Sequence, residues 1–217
     1  MKKKRVILIA LLICIALGIL SAKHYEESKV INNTKFTVPQ MEEIPEGETK
    51  TYVFPDDLVK TSQFSWKNAQ EFVDGLKEEN SDNSRFETVE VLANGQVAMT
   101  VTQGQREIWL RKIEEAINDC IEICQKGGIE VEIEDDITMI NFIQKKGFTM
   151  TNLTFLSKYA VLLTTTYQIQ MFMGIKAEDC YVYTRLERES TGEVLFDERK
   201  NGKGWELMED EWNPEEK

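Results

Sequence analysis

A chain of 217 residues carries 38 acidic against 26 basic residues, a formal net charge of −12. Taking off the four basic residues that precede Val6 lowers the charge of the remainder to −16. An acidic chain of this kind repels polynucleotides and anionic headgroups, which excludes a nucleic-acid ligand, and its length suits one domain with attachments.

The first element is chemical rather than structural. Lys2, Lys3, Lys4 and Arg5 stand before an apolar run from Val6 to Leu20, extended by Ser21 and Ala22. A basic region followed by an apolar one is an export signal whose positive end stays in the cytoplasm. The 17 residues from Val6 to Ala22 reach the short end of what spans a bilayer as a helix. Leu20 stands where a cleavage site after Ala22 wants a small residue, so residues 1–22 read as an uncleaved signal-anchor, a single-pass transmembrane segment. The alternative is cleavage near Ala22 and a secreted domain. Bulky Ile13 before Cys14 argues against lipid attachment there. Everything after His24 is then expected outside the cytoplasmic membrane.

Residues 23–50, with Asn32-Asn33, Pro39 and Pro45, read as a polar stalk. Residues 51–200 form the predicted domain. It opens on a short strand, Thr51 to Phe54, closed by Pro55. Ser65 is placed to cap a helix from Trp66 to Lys77, with Ala69, Phe72, Val73 and Leu76 at helical spacing. Phe86 to Leu92 alternates, Asn94-Gly95 suits a type I′ turn, and Val97, Met99 and Val101 line a returning strand. Thr102 and Gln105 have capping-box spacing and begin a long helix to about Gln125, which Gly127-Gly128 ends. It buries Ile108, Trp109, Ile113, Ile117, Cys120 and Ile121.

The pattern then recurs: Ile129, Val131 and Ile133 alternate with Glu130, Glu132 and Glu134, and Asp135-Asp136 turns into a strand from Ile137 to Ile143. Aligning Thr88-Val89-Glu90-Val91 with Glu130-Val131-Glu132-Ile133 gives an internal repeat of a ββα unit. Asn152 to Phe172 reads as a helix, although Thr164-Thr165-Thr166 favours a strand. Lys158, Gln168 and Gln170 argue against a second membrane span. A last hairpin has Cys180, Val182, Thr184 and Leu186 on one face, a turn near Ser190-Thr191-Gly192, and Val194 to Phe196 returning. Residues 201–217 are an acidic tail in which Trp205 and Trp212 are placed to tuck back. The predicted fold class is α+β: a mainly antiparallel sheet of three hairpins with two long helices on one face (ββαββαββ), plus the N-terminal transmembrane helix.

The first hairpin with its helix entry, Val97-Ala98-Met99-Thr100-Val101-Thr102 into Gln105-Arg106, carries a resemblance, as do Glu134-Asp135-Asp136-Ile137-Thr138 and Thr191-Gly192-Glu193-Val194. Over residues 65–198 the chain resembles a loose group of uncharacterised, membrane-anchored or lipoprotein-like extracytoplasmic proteins of Gram-positive anaerobes. That resemblance implies export and the α+β fold. It implies no activity and no catalytic residues.

The chemistry is read by elimination. The only histidine is His24, so the domain lacks Ser-His-Asp and Cys-His machinery and most zinc hydrolase arrangements. Gly127-Gly128 follows a helix and precedes a strand, the reverse of a phosphate loop. Cys120 and Cys124 share a helix face and read as core thiols, a disulfide to Cys180 or a metal site being the alternatives. No catalytic, cofactor-binding or metal residues are assigned. The expected partner surface is the carboxylate row Glu130, Glu132 and Glu134 together with Tyr181 and Tyr183. The row faces a basic peptide or an envelope protein, or is a solvated edge-protecting face. The tyrosines serve recognition, or lie under the helix from Trp66. The resulting expectation is a non-catalytic binding or adapter module in the cell envelope. A secreted-peptidase inhibitor and an acidic-residue wall hydrolase are the alternatives.

Overall fold

A computed structural model describes residues 35–56, 58–59, 68–80, 82–198 and 212. The expected signal-anchor, the part of the expected stalk before residue 35, Ser65, Trp66 and Trp205 lie outside the described residues. Among the described residues, no helix is long and apolar enough to cross a membrane. The α+β class holds, with three helices and two sheets among the described residues. The described residues divide into two compact units: one takes those from 35 to 118 and 167–180, the other 119–166 and those from 181 onward.

In the first unit, β1 (Lys50–Val53), β2 (Thr88–Val91) and β3 (Val97–Val101) form an antiparallel sheet in the order β1-β3-β2. Tyr52, Met99 and Val89 stand opposite one another in this register and all are buried. The turn between β2 and β3 departs from the expected type. Gly95 N–H donates to the Leu92 carbonyl (2.9 Å) and Leu92 N–H to the Gln96 carbonyl (2.7 Å). Only Gly95 has positive φ, +86°, so a type I turn followed by one left-handed glycine replaces a type I′ turn.

Helix α1 runs Ala69–Glu79, with Asn68 rather than Ser65 as its cap: Asn68 Oδ1 accepts from Glu71 N–H at 2.9 Å. Helix α2 spans Gln103–Lys126. Its capping box is formed, Thr102 N–H donating to Gln105 Oε1 (2.9 Å) and Gln105 N–H to Thr102 Oγ1 (3.3 Å).

In the second unit, β4 (Ile129–Ile133), β5 (Met139–Gln144), β6 (Tyr183–Arg188) and β7 (Glu193–Asp197) lie in the order β4-β5-β6-β7. This corrects the expectation of a single, mainly antiparallel sheet: the pairing is mainly antiparallel, but the strands fall into two sheets, and β5 and β6 pair in parallel. Helix α3 (Asn152–Phe172) separates those strands, and a strand entered after such a crossover returns in the direction of the one before it. The last hairpin therefore joins the second sheet, while β1 completes the first.

Two further boundaries moved. Ile137, expected in β5, occupies the turn before it at φ +60°. Its side chain is buried, which offsets the strain of a β-branched residue in that region. Cys180 and Val182 precede β6 rather than belonging to it.

The threonine run does not break α3. The hydroxyls of Thr164, Thr165 and Thr166 donate to the carbonyls of Ala160, Val161 and Leu162 at 2.7, 2.8 and 2.7 Å. Each polar group is satisfied by its own helix, so three β-branched residues are carried through a buried segment.

Candidate functional site

The strands of the second unit alternate about a clear inside and outside. Facing in are Val131, Phe142, Leu186 and Phe196, one ladder row across all four strands, all buried. The N-terminal part of α3 covers them: the Phe155 ring meets Phe142 edge-on at 5.0 Å. Trp212 completes this core, wholly buried between Phe148 (5.7 Å) and Phe155 (4.8 Å). Its indole N–H donates to the Met150 carbonyl at 2.9 Å.

The opposite face carries all five residues of the expected partner surface, counting Tyr181, two residues ahead of Tyr183. Sheet register orders them in rows. Glu132 stands opposite Asn141, and Asn141 opposite Arg185; Glu130 stands opposite Ile143, and Ile143 opposite Glu187. Beyond β4, Glu134 N–H donates to the Met139 carbonyl at 3.1 Å, and Met139 pairs with Tyr183. Glu134 and Tyr183 are therefore two strand spacings apart, on the order of 10 Å. Tyr181 and Tyr183 are 48 % and 37 % exposed, with ring centroids 5.1 Å apart and planes at 50°. They are an exposed aromatic pair.

Charge divides this face into two ends. At one, Lys145 bridges Glu130 (2.5 Å) and Glu189 (2.9 Å), and those two carboxylates hold its ammonium well above the usual lysine range. Arg185, in the Glu132 row, turns towards this end and pairs with Glu187 of the Glu130 row at 2.6 Å. At the other end, Glu132 and Glu134 are exposed and have no cation within ion-pair distance among the described residues. Asp135 extends this end, while Asp136 is engaged locally, its Oδ1 accepting from Thr138 N–H (3.1 Å) and Oγ1 (2.7 Å). The free carboxylates and the tyrosine pair thus share one end of one face. Sequence reasoning found both features, but not the ion pairs beside them: Lys145 reaches Glu130 across the antiparallel β4–β5 pair and Glu189 across the parallel β5–β6 pair, and Arg185 meets Glu187 within β6.

The thiols belong to the interior. Cys120, Cys124 and Cys180 are buried thiols that are not joined in a disulfide. Burial pushes the Cys124 thiol up to about 12 and that of Cys180 to about 11, which suppresses the reactive thiolate. Among the described residues, no three His, Cys, Asp or Glu side chains are grouped to hold a metal ion. No protein family, curated protein or solved structure matches the chain, so the reading of the face rests on its chemistry.

Proposed function

We propose that the chain is a membrane-anchored extracytoplasmic binding module whose acidic, aromatic sheet face receives a basic partner, either a cationic peptide or a basic segment of an envelope protein. The observation that carries this reading is the placement of Glu132 and Glu134 on the sheet face that also carries the exposed Tyr181–Tyr183 pair, one strand away across β5. A lysine or arginine gains Coulomb attraction from the carboxylates and a cation–π contact worth about 0.5–1 kcal/mol from an exposed ring. The basic-then-apolar sequence of residues 1–22 supports the anchor, and the acidity of the remainder supports a cationic rather than a nucleic-acid ligand.

The test is fluorescence anisotropy of labelled decalysine titrated with the full chain in mild detergent. Glu132→Gln with Glu134→Gln, and separately Tyr181→Ala with Tyr183→Ala, should each weaken binding about tenfold or more. The equally charge-changing control Glu46→Gln with Glu48→Gln, on exposed residues of the other unit, should weaken it far less. Equal loss in the control, or none in the tyrosine variant, would reduce the interaction to bulk charge and remove the site.

A further inference from the structure

Residues 36–44 are not a free spacer. Five of their main-chain groups are held by side chains of α2. Phe36 N–H donates to Asn118 Oδ1 (2.9 Å), and Asn118 Nδ2 donates back to the Phe36 carbonyl (3.0 Å). Val38 N–H donates to Glu114 Oε2 at 3.1 Å and Ile44 N–H to Gln103 Oε1 at 3.0 Å. Arg106 Nη2 donates to the Glu42 carbonyl at 2.7 Å and to Gln103 Oε1 at 2.7 Å.

The four helix residues lie at 103, 106, 114 and 118, one stripe of a 3.6-residue period. The fifteen-residue step from Gln103 to Asn118 covers about 22 Å of helix. Eight residues of strap cross it in the opposite direction, at about 2.8 Å each, close to full extension.

We propose that this stripe of α2 is a binding site for the main chain of an extended peptide, filled in cis by residues 36–44, and that its occupancy sets the length of the tether on which the domain hangs. Ile44 is buried and acts as the pivot. Phe36 and Val38 are only half-buried, and the helix reads their backbone, not a strand ladder, so the segment before Ile44 detaches without disturbing the β1-β3-β2 sheet. Release frees roughly 26 Å of chain. The consequence for reach above the membrane rests on the anchored reading given above; the latch itself does not.

Amide hydrogen exchange on the full chain tests the latch from its own signals. The Phe36 and Val38 amides should be protected, and Glu114→Ala with Asn118→Ala should speed their exchange on the order of a hundredfold, from three lost hydrogen bonds. Val38→Pro, which deletes a donor and leaves α2 intact, should speed Phe36 about tenfold. The amides of β3 should hold their rates in both variants. Unprotected strap amides in the native chain, unchanged rates in the variants, or equal acceleration in β3 would each overturn the proposal. Membrane sedimentation of the same full chain reads the anchor separately, so failure of one reading does not pass for failure of the other.

Discussion

Trp212 offers the sharpest test of the second unit, because a residue far along an acidic tail is wholly buried. A buried tryptophan removes up to about 250 Å² from water, and at about 25 cal/mol per Å² the transfer is worth roughly 6 kcal/mol. The β-carbon that alanine keeps, and a denatured chain that is already partly collapsed, reduce this to about 3–4 kcal/mol. Losing the indole N–H leaves the Met150 carbonyl, its partner at 2.9 Å, without a donor, for about 1 kcal/mol more. Trp212→Ala should therefore cost about 4–5 kcal/mol, the upper part of the range for aromatic truncation. Trp212→Phe keeps a ring between Phe148 and Phe155 and should cost about 1–3 kcal/mol. Equilibrium urea unfolding of the full chain in mild detergent, followed by far-ultraviolet circular dichroism, measures both. A loss below about 1 kcal/mol for Trp212→Ala would refute the socket.

Two glycines separate backbone strain from close approach. A Cβ on Gly128, at φ +83°, would lie 2.6 Å from the Phe148 Cα, whereas one on Gly95, at φ +86°, meets nothing within 4 Å; alanine should cost about 3 kcal/mol or more at Gly128 and only about 1 kcal/mol at Gly95, read as shifts in the urea midpoint. The Cys124 thiol, raised by burial from 9.0 to about 12, holds its proton in the folded state after the unfolded chain has lost it. Stability from this group is complete below pH 9 and falls as pH rises from 9 towards 12, by up to about 1.4 kcal/mol per pH unit; native Cys124 should resist iodoacetamide at pH 8 and react only on unfolding. Replacing Lys145, whose side chain is 37 % exposed, by methionine should cost no more than about 1 kcal/mol despite its two carboxylate partners, and less at high salt.

The features legible in the sequence are those whose cause is local. Thr102 and Gln105 specify a reciprocal cap within four residues, and the structure forms it. Asn152–Phe172 is a helix over its whole expected length, its threonines satisfied by carbonyls one turn back. Trp212 tucks back, as its apolar bulk in a charged tail predicts. The partition of strands between sheets was not legible, because alternation fixes which face of a strand is buried but not which strand lies beside it. The strap escaped for the same reason. Residues 35–49 carry too few apolar side chains for any periodicity, and what holds them is the reach of Gln103, Arg106, Glu114 and Asn118 from a helix some sixty or more positions away in sequence.

The candidate site lies between these cases. Glu130, Glu132 and Glu134 were visible as an alternating row, and Tyr181 and Tyr183 as an alternating pair, each with a bland explanation sufficient to itself. A carboxylate row alone is edge protection, and an exposed tyrosine pair alone is ordinary surface. Their combination is harder to dismiss, because it depends on the parallel pairing of β5 with β6, which sets Met139 between Glu134 and Tyr183. Shifting β6 by one residue would send Tyr183 to the buried face and bring Thr184 out. The register that buries Thr184, Leu186 and Arg188 is therefore the one that exposes the tyrosines beside the carboxylates. Core packing fixes the geometry of this face, so substitutions at Glu132, Glu134, Tyr181 and Tyr183 test the proposed recognition with the buried scaffold left in place.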